Sequence, residues 1–455
     1  MLPLFRLAPL WLALTLAPPL GAAGPDDALR AADPASPAPA VSLPLPSPQR
    51  VDTPESPADL ERARAVWREA NRSVADFPRG HIDLLRWEAA QPQAAATPAT
   101  GAAAPAPLGL ADALRASLRQ RPDLFTHAGM NALAQARVRV AYADHVREVQ
   151  HAWIDAIATR ERVRLRAAVL DAARSGSELG RRMVRAGNWP QARLLQEQLI
   201  ESAAWQAEAD AALARQAALQ RLAGLMGIWR ADEVRALGER LGAALPAMPE
   251  RLRPADGLAV DGIEAAVLRA DPVLALEAAP ARRVFDSLPA GRWAAWEAAR
   301  DGAIAAMPEP TDGRATPPHI DDLSLLREHR LLEADEHRAR LLAMASERRA
   351  MARNAWAQLQ ARHAGALHAE RVVASLKDAQ QQETLLRYNG MFDSTWQLLA
   401  SARERLDALD AAVMARRSYW RAQASWQALL AGGGFAMDDT ASAATPAGGN
   451  DAGGH

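Results

Sequence analysis

There is no cysteine in this chain, so neither a disulfide framework nor lipidation at an N-terminal cysteine is open to it, and its stability must come from burial and association. Lysine is almost missing as well: Lys377 stands alone and arginine supplies the remaining positive charge. The formal net charge is -1. With no excess of positive charge to release counterions, bulk attraction to nucleic acid or to an anionic membrane is not expected. Aromatics make up 5% of the chain, with three tyrosines, six phenylalanines and thirteen tryptophans; most of the tryptophans fall on helical patterns, which leaves little for the two aromatic girdles of a membrane β-barrel. Beyond the first residues no uninterrupted apolar run is long enough to span a bilayer as a helix. A Gly-rich phosphate loop, a nucleophile elbow and a His-Glu-x-x-His pair are all absent. The chain is therefore not expected to be an enzyme or to hold a cofactor.

What is present at the ends reads as export and linkage. Residues 1–23 carry Arg6, an apolar run through Leu20 and small residues at Gly21 to Ala23, the pattern of a secretory signal peptide. A membrane anchor would need roughly 20 clean apolar residues, and Pro9, Pro18 and Pro19 interrupt this run. Residues 24–110 are expected to be Pro/Ala-rich linkers with short helices, one from Ala58 to Ala75 and one around FPRGHIDLLRWEAA, Phe77 to Ala90. Residues 435–455 have little apolar bulk, and a disordered tail is expected there.

Between these ends the 455 residues are long enough for two domains or one large repeat array. From about Asn131 to Ala186 there is no proline, with Gly176 and Gly180 the only weak points. At 1.5 Å per residue this is one helix of about 84 Å. Asp321 and Asp322 open a second such stretch to about Tyr388, with Gly365 its only breaker, approaching roughly 100 Å by the same rise. Helices of this length point to a coiled coil or an elongated bundle.

Each long segment ends in a glycine turn and runs into a second helix. In MVRAGNWPQARLLQEQL, Gly187 can take positive φ and Pro190 suits the start of the next helix. In LRYNGMFDSTWQLLASA, Gly390 ends one helix, and Asp393 or Ser394 can cap the next. The returning helices carry residues three and four apart: Trp205, Ala209, Ala212, Gln216, Leu219, Ala223 and Met226 in one, and Leu399, Ala402, Leu406, Leu409, Val413 and, beyond them, Trp420 in the other. This is the spacing of a coiled-coil seam, and a bland amphipathic bundle would show it too.

The arrangement is given twice. Gly187 and Gly390 lie 203 residues apart, each followed eight positions on by a leucine, Leu195 and Leu398. Upstream, ADALRASLRQRPDLF resembles GIEAAVLRADPVLAL, with Pro122 matching Pro272. The halves are residues 111–227 and 321–434, joined by a connecting region at 228–320.

This doubled order, and YNGMFDSTWQLLASA above all, resembles the outer-membrane efflux protein family typified by TolC, over about residues 111–227 and 263–434. The resemblance implies an all-α periplasmic part of very long antiparallel coiled-coil helices in two tandem repeats. It further implies a homotrimer forming a helical conduit for small toxic solutes or metal ions, with a periplasmic adaptor protein and an inner-membrane pump as partners. The turns, with Gly187, Asn188, Arg387, Tyr388, Gly390 and Asp393, would then be the tips that meet the adaptor. In that family a β-hairpin sits between the proline and the glycine turn of each repeat. Here the first repeat has lost the room for it, and Arg283 to Pro318, where the second would stand, has no alternating segment of nine to eleven residues. The membrane barrel is thus expected to be reduced or missing, and a soluble periplasmic scaffold derived from the family is the alternative.

Three further sets of polar residues stand outside this pattern. His329, Glu333 and His337 lie four apart on one helix face, a spacing that could hold a metal. Arg327, Arg330, Arg338 and Arg340 surround them and repel a cation, so a solvated face is expected. His363 and His368 diverge on their helix and are expected at the surface. His81, Asp83 and Glu88 near Arg79 read as a capped turn, with Leu84 and Trp87 packing against the long helices.

Overall fold

The structure, a computed structural model, describes residues 107–307 and 317–435, together with Ser47, Glu61, Ala65 and Arg68. The expected signal peptide, the FPRGHIDLLRWEAA turn and the C-terminal tail lie outside the described residues. So does the Ala58 to Ala75 stretch, apart from Glu61, Ala65 and Arg68, which are helical. Within described residues 107–307 and 317–435, eleven α-helices follow in order: α1 Leu110–Leu118, α2 Ala132–Arg185, α3 Gln191–Leu225, α4 Ala231–Arg240, α5 Ile263–Ala270, α6 Pro272–Asp286, α7 Ala290–Ala305, α8 Leu323–Leu326, α9 His329–His368, α10 Ser375–Asn389 and α11 Thr395–Leu430. Among the described residues extended backbone pairs at a single bridge, Ala255 with Leu258. No described helix is long and apolar enough to cross a membrane.

The first long helix runs as expected, 54 residues without a break. Gly176 and Gly180 do not weaken it visibly, because each is used for close approach. A Cβ at Gly180 would stand 3.1 Å from Leu194 and 3.5 Å from the Trp189 ring, and one at Gly176 would stand 3.1 Å from Glu197. The second long stretch departs from expectation. Asp322 caps α8, accepting from Ser324 N at 2.9 Å and Leu325 N at 3.3 Å, and α9 then passes straight through Gly365. The irregularity comes after it, as a π-helical segment at Ala369–Ala374. Glycine inside a helix costs only about 1 kcal/mol, which packing overrides, whereas a π turn inserts a residue that the periodicity does not reveal.

The chain divides into two compact units, each drawn from three stretches. The first holds the residues up to Gln120, Ala152–Pro246 and His368–Met414, and the second holds Arg121–His151, Ala247–Leu367 and Ala415 onward.

In the first unit, Val169, Leu170 and Ala173 of α2 close on Ala204 of α3, with Trp205 and Leu406 packed against them. The expected α3 seam is buried at Ala209, Ala212, Leu219, Ala223 and Met226. Small residues at these positions let helix axes approach. Along the α11 stretch of this unit the expected seam is only half-buried, apart from Val413, and full burial falls instead on Ser401, Ala408, Asp410 and Ala412. The α4 helix lies on α3 through Val234 and Leu237, with Leu219 pressed 3.1 Å from the Cβ position of Gly238.

The second unit is built on a stripe of α9, Ala352, Ala355, Trp356, Leu359 and Ala366, packed on Tyr419, Ala422, Trp426 and Leu429 of α11 and on Ile263 and Val267 of α5. His363 belongs to this buried stripe, a correction to the surface position expected for it. Its Nε2 lies 2.8 Å from the Pro249 carbonyl, and its ring centroid is 5.4 Å from that of Tyr419, so its polarity is satisfied where it is buried. His368 is exposed, as expected. The region from Arg283 that had room for a hairpin falls on two helices, Pro272–Asp286 and Ala290–Ala305, with a turn at Ser287 to Pro289 between them. Trp296 of α7, Leu325 of α8 and Leu331 of α9 form a small core there. Arg292 reaches Glu328 at 2.8 Å and Arg300 reaches Asp335 at 2.7 Å.

Equivalent contacts recur at the ends of the returning helices. Gly227 and Gly432 have positive φ, 74° and 90°, and each lies against the residue two before its repeat's proline. A Cβ on Gly227 would be 2.5 Å from the Gln120 side chain, and one on Gly432 would be 2.6 Å from the Ala270 carbonyl oxygen. Asp271, almost fully buried, caps α6 through Val273 N at 2.9 Å and pairs with Arg348 at 2.6 Å, while Arg348 also donates to the Gly433 carbonyl at 2.8 Å.

Candidate functional site: the paired helix-turn tips

Both reversals are Schellman motifs, in which a left-handed residue lets two trailing N–H groups return to the last carbonyls of the helix. In the first, Gly187 has φ 78°, its N–H donates to Val184 O at 2.9 Å, and Asn188 N–H donates to Met183 O at 2.9 Å. In the second, Met391 N–H donates to Tyr388 O at 3.0 Å and Phe392 N–H donates to Arg387 O at 2.9 Å. Here the left-handed residue is Met391, φ 62°, and Gly390 sits at φ -81° as the C-cap. This corrects the expectation that Gly390 makes the reversal. Glycine serves there for a steric reason instead, since the Phe392 ring folds to within 2.9 Å of where a Cβ would be. The two turns therefore superpose on an offset of 204 residues, Gly187 with Met391 and the N-caps Pro190 with Ser394.

Ser394 is the cap of α11. Its Oγ accepts from Gln397 N at 3.3 Å, and Gln397 Oε1 accepts from Ser394 N at 2.6 Å, a reciprocal box. Asp393, the other candidate cap, pairs with Arg387 at 2.9 Å. Of the six sequence-predicted site residues, Gly187, Asn188, Arg387, Tyr388 and Gly390 are exposed and Asp393 is partly covered.

The two turns are held together by residues that the sequence reading did not single out. Trp189, just after the first turn, stacks on Trp396 in the first turn of α11 with ring centroids 3.9 Å apart. The Arg193 guanidinium lies 4.0 Å from the Trp189 centroid and 5.8 Å from that of Trp396. Tilted aromatic pairs are worth about 0.5–1.5 kcal/mol beyond area burial, and a partly exposed cation over a ring adds about 0.5–1 kcal/mol. The only sequence signal was a tryptophan close to each turn, Trp189 and Trp396, with Arg193 one helical turn after the first. Behind the stack, α10 and α11 are zipped by Lys377 to Glu404 at 2.7 Å and Arg405 to Asp378 at 2.5 Å. Beside Gly180, Arg181 and Arg182 bracket Glu178. Burial pushes that carboxyl up, but the two guanidiniums outweigh burial and hold it below its usual range.

The surface around this framework is apolar on both hairpins. On α3, Leu195, Leu199 and Leu213 are exposed; on the π segment and α10, Val372, Leu376 and Leu386 are exposed. Each set falls on one face of a heptad, at i, i+4 and i+18 or at i, i+4 and i+14. The α10 helix buries no side chain fully. Elsewhere, His329 is exposed and His337 lies 4.0 Å from Glu333. Among the described residues no group of three His, Cys, Asp or Glu side chains is placed to hold a metal.

No protein-family model matches the chain, and no curated protein does. Solved structures to which it is similar include a membrane protein from Pseudomonas aeruginosa, at 15% identity over 71% of this chain and 72% of that one, TM-score 0.45. The outer-membrane channel OprN is similar at 17% identity over 71% and 70%, TM-score 0.46. The outer membrane protein VceC from Vibrio cholerae is similar at 13% identity over 71% and 75%, TM-score 0.44.

Proposed function

We propose that this chain is an exported, TolC-like component of a tripartite efflux system, located at the outer membrane or in the periplasm. Three copies form a periplasmic helical conduit for small toxic solutes or metal ions, and their tips meet a periplasmic adaptor protein coupled to an inner-membrane pump. The observation that carries the reading is the pair of Schellman-turned hairpins bound side by side through Trp189, Trp396 and Arg193, with an unpartnered apolar heptad row on each. A row on α3 and a different row on α10 suit a heterologous contact, in which one copy's first hairpin meets the next copy's second, and such contacts close into rings. The protein supplies a passage, and the energy comes from the pump.

Purified full-length protein should have three times the monomer mass by light scattering. Replacing both Leu199 and Leu376 by Glu, which puts charge into both rows, should shift it to monomer without loss of helicity. A strain lacking the protein should become more sensitive to toxic solutes and recover with wild type but not with this variant. A monomeric wild type would remove the conduit. One observation favours a second reading, a soluble periplasmic scaffold without its own pore: the stretch with room for a barrel hairpin is helical at Pro272–Asp286 and Ala290–Ala305. Release with periplasmic contents, and not with outer-membrane fractions, would select it.

A further inference from the structure

The apex of the second turn carries an apolar pair that folding does not explain. Met391 and Phe392 are 93% and 80% exposed, the two most exposed large hydrophobic side chains among the described residues. Met391 is also the single non-glycine residue with positive φ among them. A side chain in that conformation crowds the following carbonyl and is strained, and the matching position of the first turn avoids the strain with Gly187. Strain of this kind, held in place by surrounding structure, collects where a protein binds something. The flanks extend the same character, since Leu385 and Leu386 are exposed on the last turn of α10. The neighbouring charges, Arg387 and Asp393, are spent on each other.

We propose that Met391 and Phe392 form an apolar anchor that inserts into an uncharged, aliphatic-lined socket on a partner protein. This inference rests on the adaptor-docking reading above and names what the adaptor must present. A second copy of the chain meeting this one apex to apex is disfavoured by area. Aromatic side chains bury about 150–250 Å² each, so two such pairs remain well short of the roughly 1,200–2,000 Å² of a stable interface. A small, fully exposed knob binds by filling a pocket, as central aromatic hot spots do. The Trp189–Trp396 stack with Arg193 beneath the turn keeps the knob presented before the partner arrives, which lowers the ordering cost of association.

The test uses the full-length protein in its host. A photo-crosslinking phenylalanine analogue is placed at position 392, with a control at position 188, and the adduct is identified by mass spectrometry. The partner so identified is then purified and titrated against wild type, Phe392→Ser and Met391→Gly. The anchor predicts an adduct at 392 with a different polypeptide. It also predicts at least a tenfold loss of affinity in Phe392→Ser, about 1.4 kcal/mol, with an unchanged unfolding midpoint. Met391→Gly should bind more weakly while unfolding at a higher temperature, because the strain is relieved; a merely structural residue could not do both. Raising the salt concentration should leave the wild-type affinity nearly constant. No adduct at 392, an adduct only with another copy of this chain, or normal affinity in Phe392→Ser overturns the anchor. If the adaptor crosslinks at 188 and Phe392→Ser still binds it, the anchor fails and the efflux reading stands. If the adduct at 392 is a protein unrelated to export, the anchor stands and the efflux reading fails.

Discussion

Asp407 and Asp410 on α11 share one arginine, and they should differ several-fold in what they contribute. Arg166 of α2 donates to Asp407 Oδ1 at 2.7 Å and to Asp410 Oδ2 in a short contact, while Arg162 Nε lies 3.4 Å from Asp410 Oδ1. The carboxylates differ in solvent: the Asp407 side chain is 52% exposed and that of Asp410 is 4% exposed. An exposed pair at contact distance gains about 1 kcal/mol or less in water-like dielectric. Removing one partner of a buried pair leaves an uncompensated charge and costs about 3–5 kcal/mol. Asp407→Asn should therefore cost under about 1 kcal/mol. Asp410→Asn, which keeps the shape and loses the charge beside two arginines, should cost about 3 kcal/mol. The double variant should exceed the sum of the singles by about 1 kcal/mol, because Arg166 then has neither carboxylate. Urea unfolding followed by tryptophan fluorescence measures all three. Equal effects of the two single variants would refute the assignment of the difference to burial.

The glycines of the turns give a second contrast: Gly187→Ala meets open space and only backbone strain, about 1–2 kcal/mol. Gly432→Ala adds a Cβ 2.6 Å from the Ala270 carbonyl oxygen and should lower the melting midpoint further; an equal loss in both would show that the Ala270 contact yields freely. A third prediction concerns pH. His145 is buried with Arg121 Nη1 3.5 Å from its Nδ1, and burial first, then Arg121, pushes its imidazole below 6.5, against the opposing pull of Glu148 and Asp123. The unfolded chain then binds a proton that the folded one refuses, so stability is fully present above about pH 6.5 and falls as the pH drops through and below that value. His145→Gln should flatten the slope of the urea midpoint between pH 7 and pH 5.5, and an unchanged slope would exclude this histidine as its source.

The site was partly legible in the sequence. The turns at Gly187 and Gly390 could be placed because glycine after a long proline-free run is a local signal, and local signals survive in one dimension. Which residue turns left-handed in the second tip was not legible, since a glycine beside the required position satisfies every sequence rule while the backbone can still place a methionine there. Trp189 and Arg193 were missed as partners of Trp396 because some two hundred residues separate them from it, and nothing in the spacing says that they meet. His363 was misplaced at the surface for the same reason, its partner being a carbonyl on a distant loop.

By itself the amino-acid order determined where long helices could run, where they must reverse, and that two halves repeat one plan, because helix propensity, proline exclusion and capping act over a few neighbouring residues. Only the tertiary structure decided that the stretch from Arg283 to Ala305 forms two helices joined by a short turn and not a β-hairpin, that the turns match on Met391, and which heptad rows find a partner within the chain. Those outcomes depend on burial against residues far away in sequence, and the free energy of such contacts has no signature in any one segment.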